Sequence, residues 1–247
     1  MITQIVLKLE APEHVHLQSH FAYGLYGALT QKLPAEYSAF LHRQGTKPVH
    51  MFLLPDTEHP NCGTFTVNLL NEEAAGAFLP ALTTIQTFYL DRYGYTLRTV
   101  GISEKRISEE QMISEPLSAQ ECTRLFCRFI TPVNFKSRGR YAEFPTARLI
   151  VNSAASRYIA LQLPGYESIP EPELLPTLCS ILECSLKRSG YFLKDAVIPG
   201  FTGSAVLSID GGAEQRRRTL SWLNLLPYTG TGIKTTLGMG AIEIVPT

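Results

Sequence analysis

Phe65-Thr-Val-Asn-Leu69 alternates apolar with polar residues at the period of two that a half-buried strand requires, and Asn71-Glu72-Glu73 then opens a helix running to about Thr83. Upstream, His50 to Leu54 reads as a strand, joined to Phe65 by a turn-rich Pro55 to Pro60 connection. Before it come a helix after Pro34, with Tyr37, Phe40 and Leu41 as its apolar stripe, and a longer one carrying Phe21, Leu25, Ala28 and Leu29 behind Ser19 as N-cap. Ile5, Leu7 and Leu9 mark an opening strand, and Thr87 to Tyr95, with Leu97 and Val100, supply one or two more. The order β-α-β-β-α-β is that of the ferredoxin-like split unit.

The polar stretch Ser103 to Ser118 reads as a junction, giving domains 1–118 and 119–247. Beyond it, Leu125, Cys127 and Phe129 alternate as a strand, and a basic loop runs from Pro132 to Tyr141. Helices are expected near 145–160 and 171–188, strands near 190–198 and 202–209, a helix at 213–225, and a last strand from Ala241 to Val245. The expected class is α+β: tandem ferredoxin-like (RRM-like) domains, each an antiparallel sheet with helices on one face. Sheets of this kind recur in RNA binding.

Of the 247 residues, 45% are hydrophobic and 18% charged, an ordinary globular balance. No run approaches the ~18 apolar residues of a membrane span, and nothing near Met1 resembles a signal peptide. Five cysteines without metal-ligand spacing suggest reduced interior residues, no metal and a cytoplasmic setting. Net charge is zero but unevenly spread. Residues 1–118 hold 8 Lys/Arg against 12 Asp/Glu, whereas residues 119–247 hold 14 against 10. The second half is therefore the one expected to meet a polyanion.

Within that half, Gly230-Thr-Gly-Ile-Lys-Thr-Thr-Leu-Gly-Met-Gly240 sets Gly230, Gly232, Gly238 and Gly240 around Lys234. Glycines admit positive φ and close backbone approach, and exposed amides beside a lysine suit a phosphate. Neither the phosphate-loop nor the dinucleotide pattern fits, because Lys234 follows Ile233 and a strand follows the loop. Lys136, Arg138 and Arg140, with Tyr141 or Phe135 for stacking, and Arg216, Arg217 and Arg218 are further candidates for holding nucleic acid.

Together these segments resemble one family. Gly230-x-Gly-x-Lys-x-x-Leu-Gly-x-Gly240 is similar to the glycine-rich loop of the repeat-associated superfamily of CRISPR proteins. Phe129-Ile-Thr-Pro-Val-Asn-Phe135, with Tyr141 and Phe144-Pro145, resembles a region of its repeat-processing endoribonucleases. So do Tyr26-Gly-Ala-Leu29, Phe40-Leu-His42, Lys47-Pro48 and Pro199-Gly-Phe201-Thr-Gly203. The resemblance implies cleavage of CRISPR precursor RNA within its repeats, without metal or cofactor, by attack of a 2′-hydroxyl that leaves a 2′,3′-cyclic phosphate and a 5′-hydroxyl. The implied partners are the repeat RNA, proteins of a CRISPR effector complex and a second copy of the chain.

Such chemistry needs a proton carrier and a cation for the phosphorane. Of six histidines, His42 borders the apolar stripe of its helix on the face of Ser38, and it matches the family's catalytic histidine; His20 is the runner-up. Lys47 is the expected counter-charge and Tyr26 the expected orienting hydroxyl. Two alternatives stay open: a non-catalytic RNA-binding subunit of an effector complex, and an unrelated small-molecule enzyme on the same scaffold.

Overall fold

The structure is a computed structural model describing residues 1–247 except Gln44, 115–121, Arg138, 171–177 and Asp195; the side chains of 112–114 also lie outside the description. It falls into two compact units, Met1–Ile107 with Thr236–Gly238, and Ser108–Thr235 with Met239–Thr247.

In the first unit, strands β1 (Ile2–Glu10), β2 (Val49–Pro55), β3 (Cys62–Leu69), β4 (Thr87–Leu90) and β5 (Tyr95–Ile107) form an antiparallel sheet ordered β2-β3-β1-β5-β4. Ile5 pairs with Val67 and Leu7 with Phe65, while Met51 and Leu53 continue the same apolar face on β2. That face is covered by helices α1 (Ala22–Thr30), α2 (Ala35–His42) and α3 (Glu72–Thr84), whose Leu25, Leu29, Leu41, Phe78 and Leu82 join its core. Each such side chain contributes about 1.5–3 kcal/mol by leaving water. Asn71 caps α3, its Oδ1 accepting from the Ala74 amide at 2.8 Å. Ser19 does not cap α1. It begins a 3₁₀ turn, Ser19–Phe21, and α1 starts after it without a side-chain cap.

The second unit repeats the plan. β6 (Arg124–Val133) is followed by a short ribbon of β7 (Lys136–Ser137) with β8 (Arg140–Tyr141); α4 (Glu109–Ser114) precedes it. Next come α5 (Ala147–Ala160), β9 (Cys179–Leu193), β10 (Ala196–Ile209), α6 (Ala213–Leu223), α7 (Leu226–Thr229) and β11 (Ile242–Pro246), the sheet being ordered β11-β6-β10-β9. In both units the fourth, first, third and second strands of the β-α-β-β-α-β unit lie side by side. The protein is thus an α+β fold of tandem ferredoxin-like units.

Three expectations change. Strand β5 runs on to Ile107, so the polar segment from Ser103 is partly sheet; the expected boundary at 118/119 lies outside the described residues. The helix expected at 171–188 is replaced, where described, by β9. Its residues are mostly exposed, so no alternation of burial marked them as a strand. The strand expected at 190–198 is the tip of the β9–β10 hairpin, which turns near Lys194 at φ 52°. Among the described residues no helix is long and apolar enough to cross a membrane.

Candidate functional site

In the first unit, His42 is the last residue of α2 and is exposed, because the helix buries Tyr37 and Leu41 instead. Lys47 lies on the connection to β2 and is only 9% exposed. Its Nζ sits 4.6 Å from the centroid of the Phe40 ring, a cation–π contact on the helix that ends at His42. Burial first, and the Arg43 charge second, hold the Lys47 ammonium below the ordinary lysine range. Tyr26 is 8% exposed on α1, where burial and then Tyr23 raise its phenol, so the hydroxyl keeps its proton near neutrality. The unit thus offers an accessible imidazole, a partly desolvated ammonium and a protonated hydroxyl.

The other histidines have structural surroundings. His20 is half-buried, edge-on to Phe21 at 5.1 Å, and burial followed by Arg92 lowers its pKa. His50 is fully buried on β2, with Nδ1 3.3 Å from Asn68 Nδ2. Asn68 in turn accepts from Gln4 through Oδ1 at 2.9 Å. This ladder crosses three strands on the face opposite Ile5, Val67 and Met51. His14 meets Tyr95 edge-on at 5.8 Å, and exposed His59 stands 3.7 Å from Asp56; His16 is exposed in the same loop as His14.

The glycine-rich loop is shaped from within. Gly230, Gly232, Gly238 and Gly240 all have positive φ, at 66°, 77°, 104° and 74°. A β-carbon on Gly240 would lie 2.1 Å from the Thr231 carbonyl oxygen, so glycine there is a steric demand. The amides of Gly230, Gly232 and Gly240 donate to Leu226 O at 2.8 Å, Ser153 Oγ at 2.9 Å and Pro132 O at 3.0 Å. Those of Thr231, Ile233 and Ala241 are likewise spent on Gly240 O, Asn134 O and Thr131 Oγ1. The amides of Gly230, Gly232 and Gly240 therefore fold the loop, rather than facing outward as sequence reasoning expected. What the loop displays is Lys234, exposed and itself at φ 58°. A non-glycine residue held there costs on the order of 1–3 kcal/mol, and such strain gathers at functional positions.

Beside the loop's anchor on Asn134, the ribbon carries Lys136 and Arg140, both exposed, with Lys136 Nζ 5.1 Å from the Tyr141 ring centroid; Arg138 lies outside the described residues. Phe135 is 4% exposed and belongs to the interior, whereas Tyr141 is 38% exposed. Tyr141 borders a groove of about 560 Å³ with Asn134, Arg188, Gly190, Gly200 and Phe201. Arg188 stands 5.9 Å from the centroid of Phe201, which forms an aromatic wall with Phe144 edge-on at 5.4 Å. Sequence reasoning passed over this groove, because its walls come from two strands and a ribbon far apart in the chain.

The arginine triplet on α6 is largely engaged in holding its own helix. Arg216 donates to Gly211 O at 2.5 Å, Arg217 pairs with Glu214 at 3.1 Å, and Arg218 donates to Ser168 O at 2.6 Å while lying 5.7 Å from Trp222. Also missed were Ser153 and Arg157, which hold the loop from α5. The available signal was an arginine in register with Ile150, Ala154 and Tyr158, on the apolar stripe of a helix.

The family model for the CRISPR-associated endoribonuclease Cas6 matches residues 127–242. The Cas6 endoribonuclease of Mycobacterium tuberculosis is 27% identical over 98% of this chain and 77% of its own length. That of Streptococcus thermophilus is 27% identical over 93% of both. Among solved structures, a Cas6 product complex superposes with a TM-score of 0.81 at 23% identity, over 99% of this chain and 100% of that one. Thermus thermophilus Cas6 gives 0.74 at 24% identity, over 99% and 98%. The fold and these likenesses define an endoribonuclease. The chain is similar to the Cas6 family of CRISPR-associated endoribonucleases, whose model matches residues 127–242.

Proposed function

We propose that the protein cuts CRISPR precursor RNA within its repeats and does so without a metal ion. The RNA's own 2′-hydroxyl loses its proton as its oxygen bonds to the adjacent phosphorus. The P–O5′ bond then breaks and O5′ takes up a proton, leaving a 2′,3′-cyclic phosphate and a 5′-hydroxyl. His42 carries the proton, Lys47 offsets charge on the phosphorane oxygens, and Tyr26 orients the nucleophile through its protonated hydroxyl.

The observation that carries this reading is the accessibility of His42 at the end of a helix whose Phe40 ring holds a lysine shielded from water. Exposed at the end of α2, the imidazole is free to meet a substrate. Lys47 is fixed over Phe40 on the same helix, so its charge acts in a less screened setting. In the second unit, Lys234, Lys136 and Arg140 hold the RNA backbone, with Tyr141 stacking on an unpaired base. Glycines 230, 232, 238 and 240 give the loop its shape, and Arg216, Arg217 and Arg218 add positive field at α6.

The test is incubation of the purified protein with repeat RNA in EDTA, followed by analysis of product ends. Cyclic phosphate and 5′-hydroxyl ends are expected. A 3′-hydroxyl product, or strict need for a divalent cation, would overturn the mechanism.

A further inference from the structure

Ser153 and Arg157 are four residues apart on α5 and so share a face. Both reach the glycine-rich loop at the same residue, Gly232. Ser153 Oγ accepts from the Gly232 amide at 2.9 Å, and Arg157 Nη2 donates to the Gly232 carbonyl oxygen at 3.0 Å and to Thr235 Oγ1 at 3.1 Å. Ile233 and Lys234 lie between the two anchored positions, Gly232 and Thr235.

Arg157 is 8% exposed, and among the described residues no carboxylate pairs with it; its Nε is buried without an acceptor. Burial lowers the guanidinium to about 10, which leaves it charged near neutrality. A charge withdrawn from water costs several kcal/mol unless an opposite charge offsets it. Here only neutral oxygens do so, and the loop adds a second cation, Lys234, in a backbone conformation that side chains rarely adopt. Two cations are therefore held at one short loop, and among the described residues no anion is paired to the buried one.

We propose that Arg157 is a positioning residue of the RNA site: it fixes residues 232–235 from beneath and adds its charge to that of Lys234 in holding an RNA phosphodiester. The inference rests on the reading that this loop binds RNA. Arg157 itself does not touch the substrate; its effect passes through loop geometry and electrostatic field.

The experiment measures binding of repeat RNA carrying 2′-O-methyl groups throughout, which lacks the attacking hydroxyl, across a salt series. Full-length wild type, Arg157→Gln, Arg157→Lys and Lys234→Ala are compared. Arg157→Gln is expected to bind at least ~10-fold more weakly and to flatten the slope of log affinity against log salt by about one, and Arg157→Lys to restore the slope. If Arg157→Gln does not fold, Arg157→Met, which fills the space without a buried amide, replaces it. Weakened binding with an unchanged slope would reduce Arg157 to a structural prop and overturn the proposal, as would unchanged binding. Wild-type binding by Lys234→Ala would instead remove the loop reading on which the inference rests.

Discussion

Gly232 stands against Asn134 with no room for a side chain: a β-carbon on Gly232 would fall 2.1 Å from the Asn134 carbonyl oxygen. The same carbonyl accepts from the Ile233 amide at 2.9 Å, so it is fixed and unable to give way. Gly232→Ala therefore forces the loop off β6 and is expected to destabilise the protein by a few kcal/mol and to weaken RNA binding at least ~10-fold. Gly27→Ala is the control. A β-carbon there meets nothing within 4 Å on helix α1, and melting should be unchanged or rise by up to ~1 kcal/mol.

His42→Ala is expected to lower cleavage at least ~100-fold while RNA affinity and melting temperature stay near wild type, because the side chain is exposed. Single-turnover rates and binding measured on one preparation separate the two effects. Unchanged cleavage would exclude His42 as the proton carrier. Lys47→Met keeps the packing on Phe40 but removes the charge, and should cost ~100-fold in the same assay.

Tyr141 and Phe135 should separate cleanly. Tyr141→Ala removes a half-exposed ring and is expected to weaken RNA binding by ~1–3 kcal/mol without altering stability. Phe135→Ala empties an interior position, so melting should drop by ~3–5 kcal/mol before any binding effect is legible. Equal losses of binding with intact stability in both would contradict this division.

Burial, helped for Cys127 by Cys179 and for Cys179 by Asp210, holds both thiols up at about 12, against an ordinary 9.0. Above pH 9 the unfolded chain sheds these protons while the folded one keeps them. Their contribution to stability is thus intact below pH 9 and declines between pH 9 and 12, by up to ~1.4 kcal/mol per pH unit per thiol. Urea midpoints at pH 8 and pH 10 check this, and Cys127→Val should flatten the decline. Exposed Cys184 should react with a thiol reagent at pH 8 well before either buried cysteine.

The elements with one dry face were the legible ones. Ile5, Leu7 and Leu9 in β1, or Phe65, Val67 and Leu69 in β3, declare their period because every second residue enters the core. Strand β9 did not, since Leu182 is 47% exposed and only Cys179 and Tyr191 are buried along its length; its identity comes from pairing with β10, which is non-local. The glycine loop announced its conformation but concealed where its amides go, because their acceptors, Ser153, Pro132 and Asn134, sit roughly a hundred residues or so away. The catalytic candidates were placed by resemblance. Their exposure and the Lys47–Phe40 contact needed coordinates.

The Ala241 amide reaches Thr131 Oγ1 across 110 positions, and Ile242 pairs with Phe129 on β6. Joining partners so distant along a polypeptide forfeits much chain entropy before any reward, so they meet late. While synthesis is under way, strand β6 leaves the ribosome long before β11 exists to close upon it. A nascent molecule consequently lacks the Thr131–Ala241 tie and the pairing of Phe129 with Ile242 until residues 241 and 242 have been made.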